Sequence, residues 1–254
     1  MTTTLAIANQ KGGVAKTTTV VSLGVALHDL GLKVLLVDLD PQSCLTFSLG
    51  IDPEEVTESI HQVLLRQVDA ADVLYELDEG PDLLPATIEL AGAETALLTR
   101  PGREHALRAA LEDISEDYDW ILLDCPPSLG VLTVAALSAA DQVMIPLQCE
   151  TLSHRGVGQL LDTVHDVRRY TNTKLQVLGV LPTLYDARTR HSRAVLETIS
   201  DTYEIPVIEP PIPRSIRFAE APAAGTSIFR SAASNRGAEA YRQLAASMAN
   251  GTSG

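Results

Sequence analysis

The chain is predicted to fold as an α/β domain, with a mostly parallel, twisted sheet flanked by helices on both faces. Two patterns carry this expectation. Short apolar runs alternate with longer amphipathic stretches, as repeated strand–helix–strand units require. Three of the runs also finish in acid, at Asp38, at Asp124 and at Cys149-Glu150 after the run 143–147. Ligands of parallel sheets gather beyond the carboxyl ends of the strands, where such acids would stand. With 254 residues, no internal repeat and no dividing linker, one domain spanning 1–254 is the simplest division. A hydrophobic share of 45% allows a large core.

The elements follow in order. Residues 5–8 form a first buried strand, and 20–30 read as a helix. Residues 33–38 make a second strand ending in Asp38. The mixed segment 42–77 is expected to hold short helices, and 83–84, ahead of Pro85, a short strand. Segments 89–99 and 103–114 read as helices. Trp120 opens a buried strand over 120–124, followed by a helix over 129–138 and a strand over 142–146. The stretch 156–170 has apolar residues at 157, 160, 161, 164 and 167, the spacing of one helix face. A strand over 175–184, a helix over 192–201 and a last strand over 205–208 come next. A final helix over 236–248 carries Ala238, Tyr241, Leu244 and Ala245 on one face. The closing residues, about 250–254, are expected to fray.

Composition excludes several classes. No apolar run approaches the roughly 18 residues of a membrane span, and no signal peptide is evident. The three cysteines, Cys44, Cys125 and Cys149, are odd in number and far apart. They read as reduced thiols of a cytoplasmic protein, without disulfide or metal roles. The six histidines show no ligand spacing. The net charge of −14 argues at first against nucleic acid. Its distribution changes that argument: residues 50–119 hold 18 of the 33 acids but 4 of the 19 bases, so the rest of the chain is neutral. That acidic stretch reads as a solvated face or a partner surface. The last third is rich in arginine, including Arg188, Arg190, Arg193, Arg214, Arg217, Arg230 and Arg236. By charge alone these are a solvated, ion-paired surface.

The most specific segment is Asn9-Gln10-Lys11-Gly12-Gly13-Val14-Ala15-Lys16-Thr17-Thr18, set between a strand and a helix. That is the context of a phosphate-binding loop. Gly12 and Gly13 permit a tight turn. Backbone N–H groups can then face phosphate oxygens at the positive end of the next helix. Lys16 would reach the β- and γ-phosphates, and the Thr17 hydroxyl would bind Mg²⁺. Two positions depart from G-x-x-x-x-G-K-[ST]: Gln10 and Ala15 stand where glycines are usual. Ala15 needs a compatible backbone angle. Asp124 suits the Mg²⁺-supporting acid after a buried strand, and Asp38 and Asp40 mark a second acidic strand end.

The second lysine, Lys11, makes the loop resemble the deviant Walker A motif of the ParA/MinD family of P-loop ATPases. Further segments tighten the resemblance toward the chromosomal ParA/Soj branch: V-D-L-D-P-Q, L-P-A-T, A-G-A-E, D-C-P-P-S-L-G, P-L-Q-C-E, L-Y-D-A-R-T, P-R-S-I-R-F-A-E-A-P and R-G-A-E-A-Y. It runs from about residue 5 to about residue 248. It implies a P-loop ATPase with ATP and Mg²⁺ as cofactors and a weak intrinsic rate. Lys11 would contact the nucleotide across a homodimer, and Lys11, Lys16 and Asp40 would serve catalysis, Asp40 by positioning water. Lys11, Gly12, Gly13, Val14, Ala15, Lys16, Thr17, Thr18 and Asp124 would bind the nucleotide. Thr17, Asp40 and Asp124 would serve the metal. Pro213 and Ser215 fall where the family holds adenine, although asparagine is more usual at the latter. Arg188 and Arg217 match arginines that bind DNA without sequence preference.

The resemblance implies an ATP-driven segregation switch, cytoplasmic and nucleoid-associated, reset by a ParB-like protein. The helix-turn-helix extension of larger plasmid members is absent, so self-repression is not expected. Other readings are an orphan ATPase positioning a protein cargo or polar complex, and a MinD-like membrane switch. Residues 245–254 contain no Lys or Arg, which speaks against the membrane switch. A metabolic ligase or iron–sulfur carrier relative is a further reading, and the lack of a C-x-x-C pair speaks against the carrier.

Overall fold

The computed structural model describes residues 2–77, 80–150, 153–223 and 227–251. Six strands form one sheet: β1 (Thr3–Ile7), β2 (Val34–Asp38), β3 (Asp82–Leu84), β4 (Trp120–Asp124), β5 (Gln142–Gln148) and β6 (Gln176–Thr183). Their order is β3-β2-β4-β1-β5-β6, and every pairing between them is parallel. The strands are apolar through the stretches that are covered on both faces, such as 5–7, 34–37, 120–123 and 143–147, while β1, β3, β5 and β6 have polar residues at their ends. Leu5, Ile7, Leu36, Leu122 and Met144 point into one core, and Ala6, Leu35, Val37, Leu123 and Ile145 into the other. This is the period of two that strand geometry imposes.

One face is covered by α1 (Lys16–His28) and α11 (Arg236–Gly251). Helix α1 lies so close to the sheet that a methyl at Gly24 would sit 2.6 Å from Leu36. On the opposite face lie α3 (Ile60–Leu64), α4 (Leu90–Leu97), α5 (Ala106–Leu111), α6 (Val131–Ala139), α7 (Ser153–Tyr170) and α8 (Arg190–Tyr203). Short helices α2 (Cys44–Ser48), α9 (Arg217–Ala223) and α10 (Ile228–Ser231) complete the set.

Three expectations are corrected. Residues 103–114 are not one helix: a 3₁₀ turn at Arg103–His105 precedes α5, and another follows at Ser115–Asp117. Residues 205–208 do not form a ladder strand. Val207 makes only an isolated bridge to Val180, because Pro206 has no N–H to continue the pairing. Helix α1 begins four residues before position 20, directly from the loop. Helices α9 and α10 had no sequence expectation. Of the closing residues, 252–254 lie outside the described residues.

Register positions the chemistry. Ile7 of β1 pairs with Asp124 of β4, and Asp38 of β2 pairs with the same Asp124. The loop leaving β1 therefore rises beside two carboxylates at one level of the sheet's carboxyl edge, at the point where chain order reverses around β1.

Candidate functional site

The loop is anchored before it turns. Buried Asn9 donates from Nδ2 to the Pro146 carbonyl at 2.8 Å, and its Oδ1 accepts the Lys11 N–H at 2.9 Å. The Thr183 hydroxyl donates to the Val14 carbonyl at 2.9 Å. The Val14 side chain is consequently buried in the core, so only its backbone is offered to a ligand. Gly13 has φ +72°, where glycine is unstrained, while Ala15 adopts φ +64° and ψ +38°. For alanine the left-handed region costs about 1–2 kcal/mol. The departure noted at Ala15 is thus a strained position at the N-cap of α1.

Gly12, Gly13, Ala15, Lys16, Thr17, Thr18 and Asp40 line one cavity of about 350 Å³, together with Cys44, Pro127 and Phe218. Lys16 is only 8% exposed. Burial lowers its ammonium pKa, against the opposing pull of Asp124, Cys125 and Asp40. Its Nζ donates at 3.4 Å to the Lys11 carbonyl. A phosphate would restore the stabilisation that water has lost there.

Behind the cavity lie the two register-matched carboxylates. Asp38 accepts the Thr46 N–H at 2.9 Å and the Thr46 hydroxyl at 2.8 Å, and its other oxygen accepts the Asp40 N–H at 3.1 Å. Burial nevertheless raises its pKa to about 6. Asp124 is 1% exposed, and among the described residues neither of its oxygens has a hydrogen-bond partner. Burial first, then the Asp38 charge, push its pKa well up, while the nearby Thr17 hydroxyl and Lys16 pull the other way. A buried, unpartnered carboxylate beside Lys16 and Thr17 fits a hydrated divalent cation. Mg²⁺ takes one or two carboxylates plus phosphates and waters, not an all-protein cage. Among the described residues no group of three or more His, Cys, Asp or Glu forms such a cage. Asp40 is partly exposed on the cavity wall, its carboxylate accepting the Gln42 N–H at 2.9 Å.

The remaining residues of interest lie elsewhere. Lys11 is not among the residues lining the phosphate cavity; its ammonium pairs with Glu150, both side chains being about half exposed. The acid at Glu150 therefore faces Lys11 and not the other two strand-end acids. Glu150, Pro213 and Arg188 line a second, larger cavity of about 1150 Å³ with Tyr185, Asp186 and Pro211. Ser215 does not line it. Its hydroxyl accepts from Asn235 Nδ2 at 3.0 Å and from the Arg217 N–H at 3.3 Å. Arg188 is 90% exposed and forms a two-pronged pair with Asp186 at 3.1 and 3.2 Å. Arg217 Nη1 lies 2.8 Å from Glu220. The sequence reading assigned no role to Asn9, Thr19, Asn235 or Tyr241. The signal for Asn9 was its place at the entry of the loop.

Residues 2–177 match the family described as an AAA domain. The chain is 45% identical over 246 residues to the sporulation initiation inhibitor protein Soj of Bacillus subtilis, covering 96% of this chain and 97% of that protein. It is 41% identical to the chromosome partitioning protein ParA of Caulobacter vibrioides, over 95% of this chain and 91% of that one. Among solved structures, it resembles a protein from Mycobacterium smegmatis named cobyrinic acid a,c-diamide synthase, determined with bound ADP and magnesium. There the TM-score is 0.88 and the identity 55%, over 98% of this chain and 94% of the other. With its two-lysine phosphate loop and parallel sheet, the chain belongs to the ParA/Soj-type partitioning ATPases of the deviant Walker A, P-loop class.

Proposed function

We propose that this ATPase is a segregation switch: it dimerises around Mg·ATP, binds duplex DNA without sequence preference as a dimer, and is reset when a ParB-like partner stimulates hydrolysis. The observation that carries the reading is the separation of the two loop lysines. Lys16 is buried in the cavity wall, whereas Lys11 is not among the residues lining it and is half exposed, its ammonium paired with Glu150. A lysine so placed is free to exchange Glu150 for the phosphates of a second subunit.

Within one subunit, the loop N–H groups and Lys16 grip the β- and γ-phosphates. When bound, Mg²⁺ would neutralise charge on the phosphates. Asp124 and the Thr17 hydroxyl supply the oxygen environment for its shell, Thr18 lies beside the phosphates, and Asp40 orients the attacking water. Phosphoryl transfer depends on positioning and charge stabilisation. A lysine lacks the bidentate fork of arginine, so intrinsic turnover is slow. The wall at Pro213 takes the adenine. We place the whole chain in one domain, and the protein in the cytoplasm on the nucleoid. Arg188 and Arg217 contact DNA phosphates, and pairing two subunits doubles their number, on which affinity depends steeply.

Sedimentation tests the dimer. Asp40→Ala with saturating Mg·ATP should run as a dimer, and the double variant Lys11→Ala, Asp40→Ala as a nucleotide-bound monomer. A dimer in the double variant removes the cross-subunit role of Lys11. For DNA, Arg217→Glu should lose ATP-dependent retention of duplex by about tenfold or more at low salt, and wild-type retention would remove that surface. A protein cargo in place of a chromosome leaves this cycle unchanged. Among the described residues no helix is long and apolar enough to cross a membrane.

The 55% identity to the M. smegmatis protein favours a second reading, amide synthesis on cobyrinic acid. Against a glutamine-using version stand the thiols. Burial pushes Cys149 up to about 11 and raises Cys44 and Cys125 as well, so none is a ready nucleophile. ATP turnover stimulated by cobyrinic acid with ammonia, and indifferent to DNA, would decide for it.

A further inference from the structure

Tyr241 of α11 is fully buried against α1, and a phenol hydroxyl placed in an apolar cluster is costly unless bonded. Its partner is the equally buried Thr19, 2.9 Å away and 222 positions distant in the chain. The Thr19 hydroxyl lies 2.7 Å from the Ala15 carbonyl, which also accepts the Thr19 N–H at 3.0 Å. A carbonyl only accepts, so the single Thr19 hydroxyl proton is committed to Ala15. Tyr241 must therefore donate to Thr19. The direction of the whole chain is fixed: Tyr241 O–H to Thr19 O–H to Ala15 C=O.

The receiving residue is the strained one, with φ +64°. The peptide joining Ala15 to Lys16 is planar and trans, so holding its oxygen along α1 aims its N–H the opposite way, toward the mouth of the loop. Phe218, which lines the phosphate cavity, packs edge-on against the Tyr241 ring with centroids 5.8 Å apart. The cavity is thus tied to Tyr241 by a hydrogen-bonded path and by a ring contact.

We infer that Tyr241 is a positioning residue for the phosphate loop: through Thr19 it holds the strained Ala15 peptide so that the Lys16 N–H faces the bound phosphate. This rests on the proposed nucleotide site. A glycine at position 15 adopts the same angle without strain and needs no such restraint, which separates positioning from mere packing.

The test is a cycle of Tyr241→Phe and Ala15→Gly, read by calorimetric affinity for Mg·ATP, by KM and kcat, and by melting temperature. Tyr241→Phe should weaken Mg·ATP binding by about three- to tenfold, the worth of one hydrogen bond. In the Ala15→Gly background the same change should cost less than about twofold. Thr19→Val should reproduce the loss and Thr19→Ser should not. Equal losses in both backgrounds, or none in Tyr241→Phe, overturn the inference while leaving the nucleotide site intact. No Mg·ATP binding by the wild-type chain overturns both.

Discussion

The phosphate cavity and the arginine-bearing surface handle charge in opposite ways. In the cavity, Lys16 and Asp124 are buried, Lys16 with one long bond to the Lys11 carbonyl and Asp124 with no hydrogen-bond partner among the described residues; burial lowers the pKa of the first and raises that of the second. On the surface, Arg188 and Arg217 are exposed and already paired with Asp186 and Glu220. The first arrangement stores a desolvation cost that a ligand relieves, so its response to occupancy is large and little affected by salt. In the DNA-binding role proposed for it, the second would gain little from each contact, because a DNA phosphate would have to displace a neighbouring carboxylate in a screened setting. A strong local site and a weak, additive one are what a switch gated by nucleotide requires.

The contrast breaks first at Lys16. Lys16→Ala removes the buried cation of the cavity wall and should weaken Mg·ATP binding by about a hundredfold, as expected for charge-assisted bonds. A loss below about fivefold, measured by calorimetry, would mean that burial there is not poised for phosphate. An intermediate effect is expected at Asp38, whose carboxyl pKa is raised from 3.8 to about 6 by burial. The folded chain then holds this proton more tightly than the unfolded one. The stabilisation is fully present below about 3.8 and is lost as pH rises through about 6. Between these values, ligand-free wild type should gain up to about 1.4 kcal/mol per unit of acidification relative to Asp38→Asn. Parallel urea-melt profiles for the two proteins would contradict this. The smallest effect belongs to the surface: Glu220→Gln frees Arg217 and should tighten DNA retention by at most about threefold, declining with salt. A larger gain would show that the pair acts as a lock and not as a screened contact.

What could be read without coordinates follows from range. The central strands were legible because sheet burial on both faces leaves unbroken apolar runs, and the loop because its chemistry is contiguous between Asn9 and Thr18. The helix over 103–114 misled because apolar spacing persists through a segment whose backbone breaks into 3₁₀ turns at both ends. The strand over 205–208 misled because Pro206 withholds an N–H, a fault already legible in the sequence and outweighed there by the apolar residues around it. The Lys11 pairing reaches across 139 positions and the Thr19–Tyr241 bond across 222. No local pattern encodes such contacts. Tyr241 was recognisable as a core face and within R-G-A-E-A-Y, but not as a hydroxyl aimed at the loop.

The strand order has a consequence for synthesis. Of the six strands described, β1 is made before the others, and its neighbours in the sheet are β4 and β5, which lie more than a hundred residues downstream. β2 and β3 can pair with each other much sooner. A nascent chain therefore carries β1, which lies inside the finished sheet, with both edges open until β4 and β5 have been made. That exposes it to wrong partners and makes chaperone protection valuable at this stage.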